Sequence, residues 1–291
     1  MAPYLYVDQT GTPDPVAVME ETGLRWFSLA FVLSDGGCTP AWAGQTGLGG
    51  RPAQLIEAVR RAGGHVVVSV GGAQGRKLGL QCPDAHSLAA AYQQVIDTYR
   101  LEAIDLDVEH DEFTNAGVQD RILRALVIVG RDNPGLTVSV TMPATPDGLD
   151  RWGQRMVRRA AELEAPVDVW AIMPFNFGPP DGDAEMGRLA VRATERTHDQ
   201  LVRLHPDLSA ADAYGRQGIV LMNGRTDTGE TVHPEDFRRV RDFAVQRGVA
   251  RLAFWSLNRD RSCHGSASAS ASTCSGVKQR PWEFSELLQG R

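Results

Sequence analysis

Short β-rich runs alternate with amphipathic helical segments eight times along the chain. The runs predicted to be strands are Tyr4–Val7, Trp26–Leu33, His65–Val70, Ala103–Val108, Thr137–Thr141, Val167–Ile172, Gly218–Met222 and Arg251–Ser256. Strands and helices in this order form parallel βαβ units. Eight units in 291 residues, without a break in composition, favour one α/β domain over 1–291, a single (β/α)8 TIM barrel. A doubly wound sheet is the alternative, but no Gly-x-Gly-x-x-Gly turn follows the first run.

Composition excludes several classes of protein. Charged residues are 23% of the chain, hydrophobic residues 42%, and the formal net charge is −6. These values exclude a disordered chain and a protein that binds nucleic acid by charge alone. Because no apolar run reaches the length of a membrane span, we expect neither a nucleic-acid nor a membrane partner.

The four cysteines predict two disulfides. Cys263 and Cys274 bracket a Ser/Ala-rich run, so a bond between them would close a loop within 258–280. Cys38 and Cys82 each follow a predicted strand and could meet at one end of the fold, although four cysteines allow three pairings. No ligand spacing indicates a metal. Two disulfides favour a secreted protein, and because no signal peptide precedes Met1, the sequence would then be a mature form.

The segment Ala103–Glu109 is the most informative strand. Its side chains alternate between aliphatic and acidic, which places Asp105, Asp107 and Glu109 on one face, roughly 6.6 Å apart in succession. The aliphatic face must contact the helices, so the acids project into the barrel. We expect no basic residue on the inner faces of the strands, so at least one acid should keep its proton near neutral pH. The alternative is a buried acid cluster that pairs with arginine or binds a hard cation.

Three motifs resemble glycoside hydrolase family 18, the chitinase family. Asp105-x-Asp107-x-Glu109 resembles its acid signature, and Ser69-Val70-Gly71-Gly72 resembles its Ser-x-Gly-Gly signature on the third strand. Phe254-Trp255-Ser256 resembles the segment that carries the tryptophan beneath the sugar. The tail through Asn258-Arg259-Asp260 and the last two cysteines is similar to one bacterial branch. The resemblance extends over the whole barrel, in chain order.

The resemblance implies a retaining, substrate-assisted hydrolase of β-1,4-linked N-acetylglucosamine that needs no cofactor. The substrate's own N-acetyl group would be the nucleophile. Glu109 would protonate the glycosidic oxygen and later activate water. Asp107 would orient and stabilise the acetamido nitrogen, and Asp105 would share a proton with Asp107. The expected partner is an oligomer or polymer of N-acetylglucosamine, bound by a monomer.

The resemblance also implies substrate contacts. Trp255 would stack on the sugar, and the other predicted contacts are Tyr6, Gln9, Gly72, Asn223, Met173, Phe175, Asn176 and Phe177. Cis peptide bonds are implied at Ala30–Phe31 and Trp255–Ser256. A Gly-rich loop after the second strand carries Trp42, which would form a further sugar platform if it is exposed.

One segment departs from the family. After the sixth strand the family has a Met-x-Tyr-Asp or a Met-x-Met-Asp-Tyr type of sequence, whose tyrosine hydroxyl helps hold the acetamido oxygen, and in either register a phenylalanine stands here in its place. This chain has Met173-Pro174-Phe175-Asn176-Phe177. The loss of the hydroxyl should slow the reaction about a hundredfold if nothing replaces it. Asn176 could donate its amide to the same oxygen.

Three functions remain open from the sequence. The favoured one is a chitinase-like hydrolase, because all three acids are present. The second is a barrel of the same family that acts on another N-acetylated glycan or on a small molecule, as the phenylalanines suggest. The third is a sugar-binding protein without catalysis on the same fold.

Overall fold

The computed structural model describes residues 1–7, 11–178, 185–206, 208–263 and 272–290. The strands in this part of the chain are β1 (Tyr4–Tyr6), β2 (Trp26–Ser34), β3 (Pro40–Trp42), β4 (His65–Gly71), β5 (Ala103–Asp107), β6 (Thr137–Pro143), β7 (Val169–Met173), β8 (Gln217–Met222), β9 (Gly224–Arg225), β10 (Thr231–Val232) and β11 (Arg251–Trp255). All eight strands predicted from the sequence are confirmed. The short strands β3, β9 and β10 lie in loops and were not predicted.

The α-helices of the described residues lie between these strands. They are α1 (Pro15–Thr22), α2 (Gly50–Arg61), α3 (Leu78–Gln81), α4 (Ala85–Tyr99), α5 (His110–Phe113), α6 (Ala116–Asp132), α7 (Arg151–Leu163), α8 (Met186–Leu204), α9 (Pro234–Arg247) and α10 (Glu283–Leu288). Some helix starts are capped by a side chain: Asp150, at the start of α7, accepts hydrogen bonds from the backbone N–H groups of Trp152 and Gly153.

The main sheet has the strand order β1-β2-β4-β5-β6-β7-β8-β11, and each pair of neighbours is parallel. This order confirms the single (β/α)8 barrel. Between the first and last strands the backbone N–H of Ala2 donates to the carbonyl of Leu252 at 3.3 Å. Close to this contact, the side-chain amide of Asn258 accepts a hydrogen bond from the backbone N–H of Tyr6 and donates one to the backbone carbonyl of Tyr6, both at 2.9 Å.

The hydrophobic core lies between the barrel and its helices. Ile104 and Leu106, on the outer face of β5, are each 1% exposed, as the alternation predicts. The inner face is different, because small side chains such as Ala171 and Ala253 share it with aromatic rings. The fold thus buries most aliphatic side chains outside the strands, and its interior holds small and aromatic side chains together with the polar groups of the site.

The loop after β2 differs from its prediction. Trp42 lies in β3, which pairs antiparallel with β2, and its ring is fully buried. Its Nε1 donates to the hydroxyl of Tyr99 at 2.7 Å. The expectation of an exposed sugar platform at Trp42 is therefore wrong, because strand pairing folds the loop back against α4.

The cysteines pair as Cys38–Cys82 and Cys263–Cys274, which confirms two disulfides and settles their connectivity. The second bond closes the Ser/Ala-rich run, most of which lies outside the described residues. A membrane span would need a longer and more apolar helix than any in the described part of the chain.

Candidate active site

Three acids lie in one row that reaches the carboxyl end of the barrel strands. Asp105 and Asp107 belong to β5, and Glu109 lies two residues after its end, at the N-cap of α5. Asp105 is fully buried and Asp107 is 4% exposed, whereas Glu109 is partly exposed. The row therefore runs from the barrel interior to its open end. His110, the next residue, is exposed.

Asp105 is saturated with hydrogen bonds. Its Oδ2 accepts from the hydroxyls of Tyr4 at 2.8 Å and Ser69 at 2.7 Å. Its Oδ1 accepts from the Thr141 hydroxyl at 2.8 Å and from a guanidinium nitrogen of Arg251 at 2.5 Å. Four donors on one buried carboxylate stabilise its ionised form.

Arg251 corrects one expectation from the sequence. The prediction that the inner faces of the strands carry no basic residue is wrong, because Arg251 is the first residue of β11 and is 8% exposed. Its guanidinium also donates to the hydroxyls of Ser28 and Ser139. The sequence held a signal for it: Arg251, Ala253 and Trp255 alternate along one strand, so the tryptophan and the arginine share a face.

The pKa values of the acids differ along the row. Burial would raise the pKa of Asp105, but the charge of Arg251 and the hydrogen bonds from Arg251, Ser69 and Tyr4 outweigh it and lower the value. Burial, then the charges of Glu109 and Asp105, raise the pKa of Asp107 well above its usual range. Burial raises the pKa of Glu109 to about 7, against the charge of Lys77 and together with that of Asp227. The expectation that at least one acid holds a proton near neutral pH is supported.

Asp105 and Asp107 interact through charge. No hydrogen bond joins their side chains in the described part of the chain, and the shared proton that the resemblance implies stays a prediction. Oδ1 of Asp107 is buried and has no hydrogen-bond partner among the described residues. Buried polar atoms normally have a partner, so this oxygen is an exception inside the barrel.

The Ser-x-Gly-Gly motif supports the acid row. Ser69 donates to Asp105, as described above. Gly71 has φ +114°, and a Cβ there would lie 2.1 Å from the carbonyl oxygen of Asp107. Gly72 has φ +87°, its N–H donates to that same carbonyl at 2.8 Å, and a Cβ there would lie 2.6 Å from the ring of Phe31. Glycine is therefore required twice by close approach. Gly72 is buried under Phe31, so its predicted contact with substrate is replaced by this supporting position.

Aromatic rings cover the inner end of the acid row. Phe31 and Trp255 stack with centroids 5.3 Å apart and planes 14° apart, and we call this pair the aromatic platform. Tyr4 and Tyr6 each lie 6.0 Å from the Trp255 ring. Trp255 and Tyr6 are half-buried, so each presents part of a ring to the open end of the barrel. The predicted cis peptide bonds, at Ala30–Phe31 and Trp255–Ser256, are confirmed.

Asn223 takes a different position from the one predicted. It is fully buried, its Oδ1 accepts from the N–H of Ser256 at 2.8 Å, and its Nδ2 donates to the carbonyl of Ser256 at 3.3 Å. Both ends of the amide are thus bonded to the residue that follows Trp255. Asn223 therefore supports the aromatic platform from below and does not contact the cleft.

The segment after β7 packs beside the aromatic platform. Met173 is buried in the interior cluster with Phe175 against it, and Phe175 and Phe177 are half-buried. Asn176 is exposed, with φ +57°, and its amide donates to the Asp227 carboxylate at 3.0 Å. Its carbonyl accepts from the backbone N–H of Asp227, also at 3.0 Å. The amide that was expected to hold a substrate oxygen is therefore engaged with the turn between β9 and β10. Gln9 lies outside the described residues.

Two charged residues near the row were missed from the sequence. Lys77, between β4 and α3, is 4% exposed, and its Nζ donates to the carbonyls of Gly72 and Gln74. Glu112 in α5 is buried, accepts from the N–H of Gly79 at 2.9 Å, and has its pKa raised to about 7 by burial. Loop conformation places Lys77, and the only hint is its rarity: of 30 basic residues only Lys77 and Lys278 are lysines.

The described residues contain no group of three or more His, Cys, Asp or Glu side chains that could hold a metal ion. One ionised acid, one acid with a strongly raised pKa and one with a pKa of about 7 lie in sequence. Such a row can donate a proton, stabilise a developing positive charge and accept the proton back near neutral pH.

A row of carboxyl groups at the carboxyl ends of barrel strands is the arrangement expected of an acid–base site. The comparisons with known proteins agree. The chain is 27% identical over 274 residues to a protein named probable bifunctional chitinase/lysozyme from Escherichia coli strain K12, covering 89% of this chain and 30% of that protein. It is 27% identical over 274 residues to endochitinase 11 of Metarhizium anisopliae, covering 89% of this chain and 52% of that protein. The chain thus spans about a third and about half of these relatives.

The solved structures point to the same class. The catalytic domain of a hyperthermophilic chitinase from Pyrococcus furiosus superposes with a TM-score of 0.89 and is 29% identical, covering 99% of this chain and 93% of that one. No protein-family model matches the chain. In sequence and fold the chain is similar to chitinase catalytic domains.

Proposed function

We propose that this protein is a chitinase-like glycoside hydrolase of family 18 that cleaves β-1,4-linked N-acetylglucosamine with retention of configuration. The observation that carries the proposal is the acid Glu109, whose pKa of about 7 suits a group that gives and takes a proton near neutral pH. The named relatives and the likeness to the Pyrococcus furiosus catalytic domain support it.

In the proposed reaction Glu109 donates its proton to the glycosidic oxygen as the bond to the anomeric carbon breaks. The carbonyl oxygen of the substrate's N-acetyl group attacks that carbon and forms an oxazolinium ion. Oδ1 of Asp107, which has no hydrogen-bond partner among the described residues, accepts the acetamido N–H and orients the group. Asp105, ionised against Arg251, supplies a fixed negative charge behind it. Glu109 then takes a proton from the water that opens the ring.

The sugar would lie against the aromatic platform. The half-buried ring of Trp255 offers an apolar surface to the face of a pyranose, and Tyr6 lies beside it. Met173, Phe175 and Phe177 would line the neighbouring wall. Two disulfides favour an extracellular protein, and we propose that it is secreted and acts as a monomer.

Mass spectrometry of N-acetylglucosamine oligomers tests the proposal. We expect the wild type to produce shorter oligomers, Glu109→Gln to produce none, and Asp111→Asn, which removes an exposed carboxyl group two residues away, to match the wild type. Intact oligomers in all three samples would overturn the chitinase proposal. Binding of the oligomers without cleavage would then indicate a sugar-binding protein.

A second substrate is favoured by the wall of the cleft. Phe175 and Phe177 offer no hydroxyl where the family has a tyrosine, and one relative is named as a chitinase and lysozyme. Another N-acetylated glycan, such as the bacterial cell-wall polymer, is therefore the second candidate. If chitin is the substrate and the hydroxyl is missing, Phe175→Tyr or Phe177→Tyr should raise the rate on chitin oligomers, by up to about a hundredfold. A higher wild-type rate on cell-wall glycan than on chitin oligomers would favour the second candidate.

A further inference from the structure

A buried ammonium group lies behind the acid row. Nζ of Lys77 donates to the carbonyl of Gly72 and, at 2.5 Å, to the carbonyl of Gln74. None of the salt bridges of the described residues includes Lys77. A buried cation is costly without a compensating charge, so the backbone dipoles and the carboxyl groups at longer range must stabilise it together.

The Gly72 peptide connects Lys77 to the site. Its carbonyl accepts from Lys77, and its N–H donates to the carbonyl of Asp107 at 2.8 Å. The same residue packs against Phe31, whose ring stacks on Trp255. Lys77 therefore holds a peptide that contacts both the acid strand and the aromatic platform.

The charge of Lys77 acts on three carboxyl groups. It faces Glu112 from α5 and both Asp107 and Glu109 from the acid row, and burial lowers its own pKa against their attraction. Glu109 is faced by Lys77 on one side and by Asp227, in the turn between β9 and β10, on the other. Since the pKa of Glu112 is about 7, this acid neutralises only part of the lysine charge near neutral pH.

We propose that Lys77 is a positioning residue of the active site. Its charge, fixed by the Gly72 and Gln74 carbonyls, makes Glu109 ready to release its proton near neutral pH, and its hydrogen bonds hold the Gly72 peptide between the acid strand and the aromatic platform. The catalytic consequence rests on the proposed glycosidase function. The effect of the Lys77 charge on the Glu109 carboxyl group does not depend on that function.

The pH dependence of kcat/KM on N-acetylglucosamine oligomers tests the proposal. Lys77→Gln keeps a donor for the carbonyls and removes the charge, so protonated Glu109 should persist to higher pH and the alkaline limb should move up by about one unit. Lys77→Arg keeps the charge and should restore most of the wild-type profile. Arg76→Gln removes an exposed cation from the same loop and should leave the limb in place. An unmoved alkaline limb in Lys77→Gln would overturn the proposal.

Carbon-13 NMR of the labelled Glu109 carboxyl group separates this proposal from the proposed function. The signal is assigned by its loss in Glu109→Gln, and its titration is followed in wild type and Lys77→Gln without any turnover. If the Glu109 titration moves to higher pH in Lys77→Gln while the wild type cleaves no glycan, the role of Lys77 is supported and the hydrolase proposal is rejected. An unchanged Glu109 titration in Lys77→Gln would reject the role of Lys77.

If Lys77→Gln fails to fold, nitrogen-15 NMR of the lysine side chains in the wild type decides the question. The only lysines are Lys77 and Lys278, so the Lys77 ammonium signal is identified by the loss of the other signal in Lys278→Arg, and it should change together with the Glu109 titration near pH 7. A Lys77 signal that stays constant through the Glu109 titration would overturn the role of Lys77.

Discussion

Replacement of Arg251 by methionine should destabilise the protein strongly. Methionine has a similar length but leaves the buried Asp105 carboxylate without its cation, and the side chains of the pair are only 9% and 0% exposed. Loss of one partner of a buried pair costs about 3–5 kcal/mol. Since hydroxyl groups of Tyr4, Ser69 and Thr141 still donate to Asp105, we expect the lower end, about 3 kcal/mol. In a chain of this size that corresponds to a fall in Tm of about 6 °C.

Urea unfolding followed by circular dichroism measures the loss, and a double-mutant cycle tests its cause. Asp105→Asn alone leaves the Arg251 charge unpaired and should also destabilise the protein. The double variant has neither buried charge, so its loss of stability should be about 2 kcal/mol smaller than the sum of the two single losses. The difference in the free energy of unfolding between wild type and Arg251→Met should be largest at neutral pH. The lowered pKa of Asp105 contributes stability above its unfolded value, and this contribution is lost as the pH falls below about 4. A loss below about 1 kcal/mol, or an equal gap at pH 7 and pH 3, would refute the reasoning.

Two further variants test the site. The pKa of Glu109 is raised to about 7 from 4.5, so its ionisation lowers the free energy of unfolding as the pH rises through 7. The free energy of unfolding of Glu109→Gln should therefore match that of the wild type near pH 4 and exceed it by about 2–3 kcal/mol at pH 8. Urea unfolding at both pH values measures the difference. Gly72→Ala would push a Cβ into Phe31 and disturb Trp255, so it should cost about 1–3 kcal/mol more than Gly63→Ala, which has a similar positive φ but no neighbour within 4 Å. Equal thermal unfolding of the two alanine variants would contradict the packing argument.

The repeating pattern of the chain determined its fold. Strand alternation is a property of the local backbone, so the sequence by itself predicted all eight barrel strands and the inward direction of Asp105, Asp107 and Glu109. The family resemblance extended this to both cis peptide bonds. The cysteine positions favoured the two disulfides that the structure contains, while leaving their connectivity open.

Only the tertiary structure decided which charges meet. Arg251 contacts Asp105 across 146 residues of sequence, and this contact exists because closure of the barrel brings β11 opposite β5. Lys77 reaches the Gly72 carbonyl through a loop conformation that has no periodicity to indicate it. Asn176 turns to Asp227, 51 residues away, and so loses the role expected from its position after β7. A side chain's direction follows from its neighbours in the chain, but its pKa and its partners depend on groups that approach only when the barrel is complete.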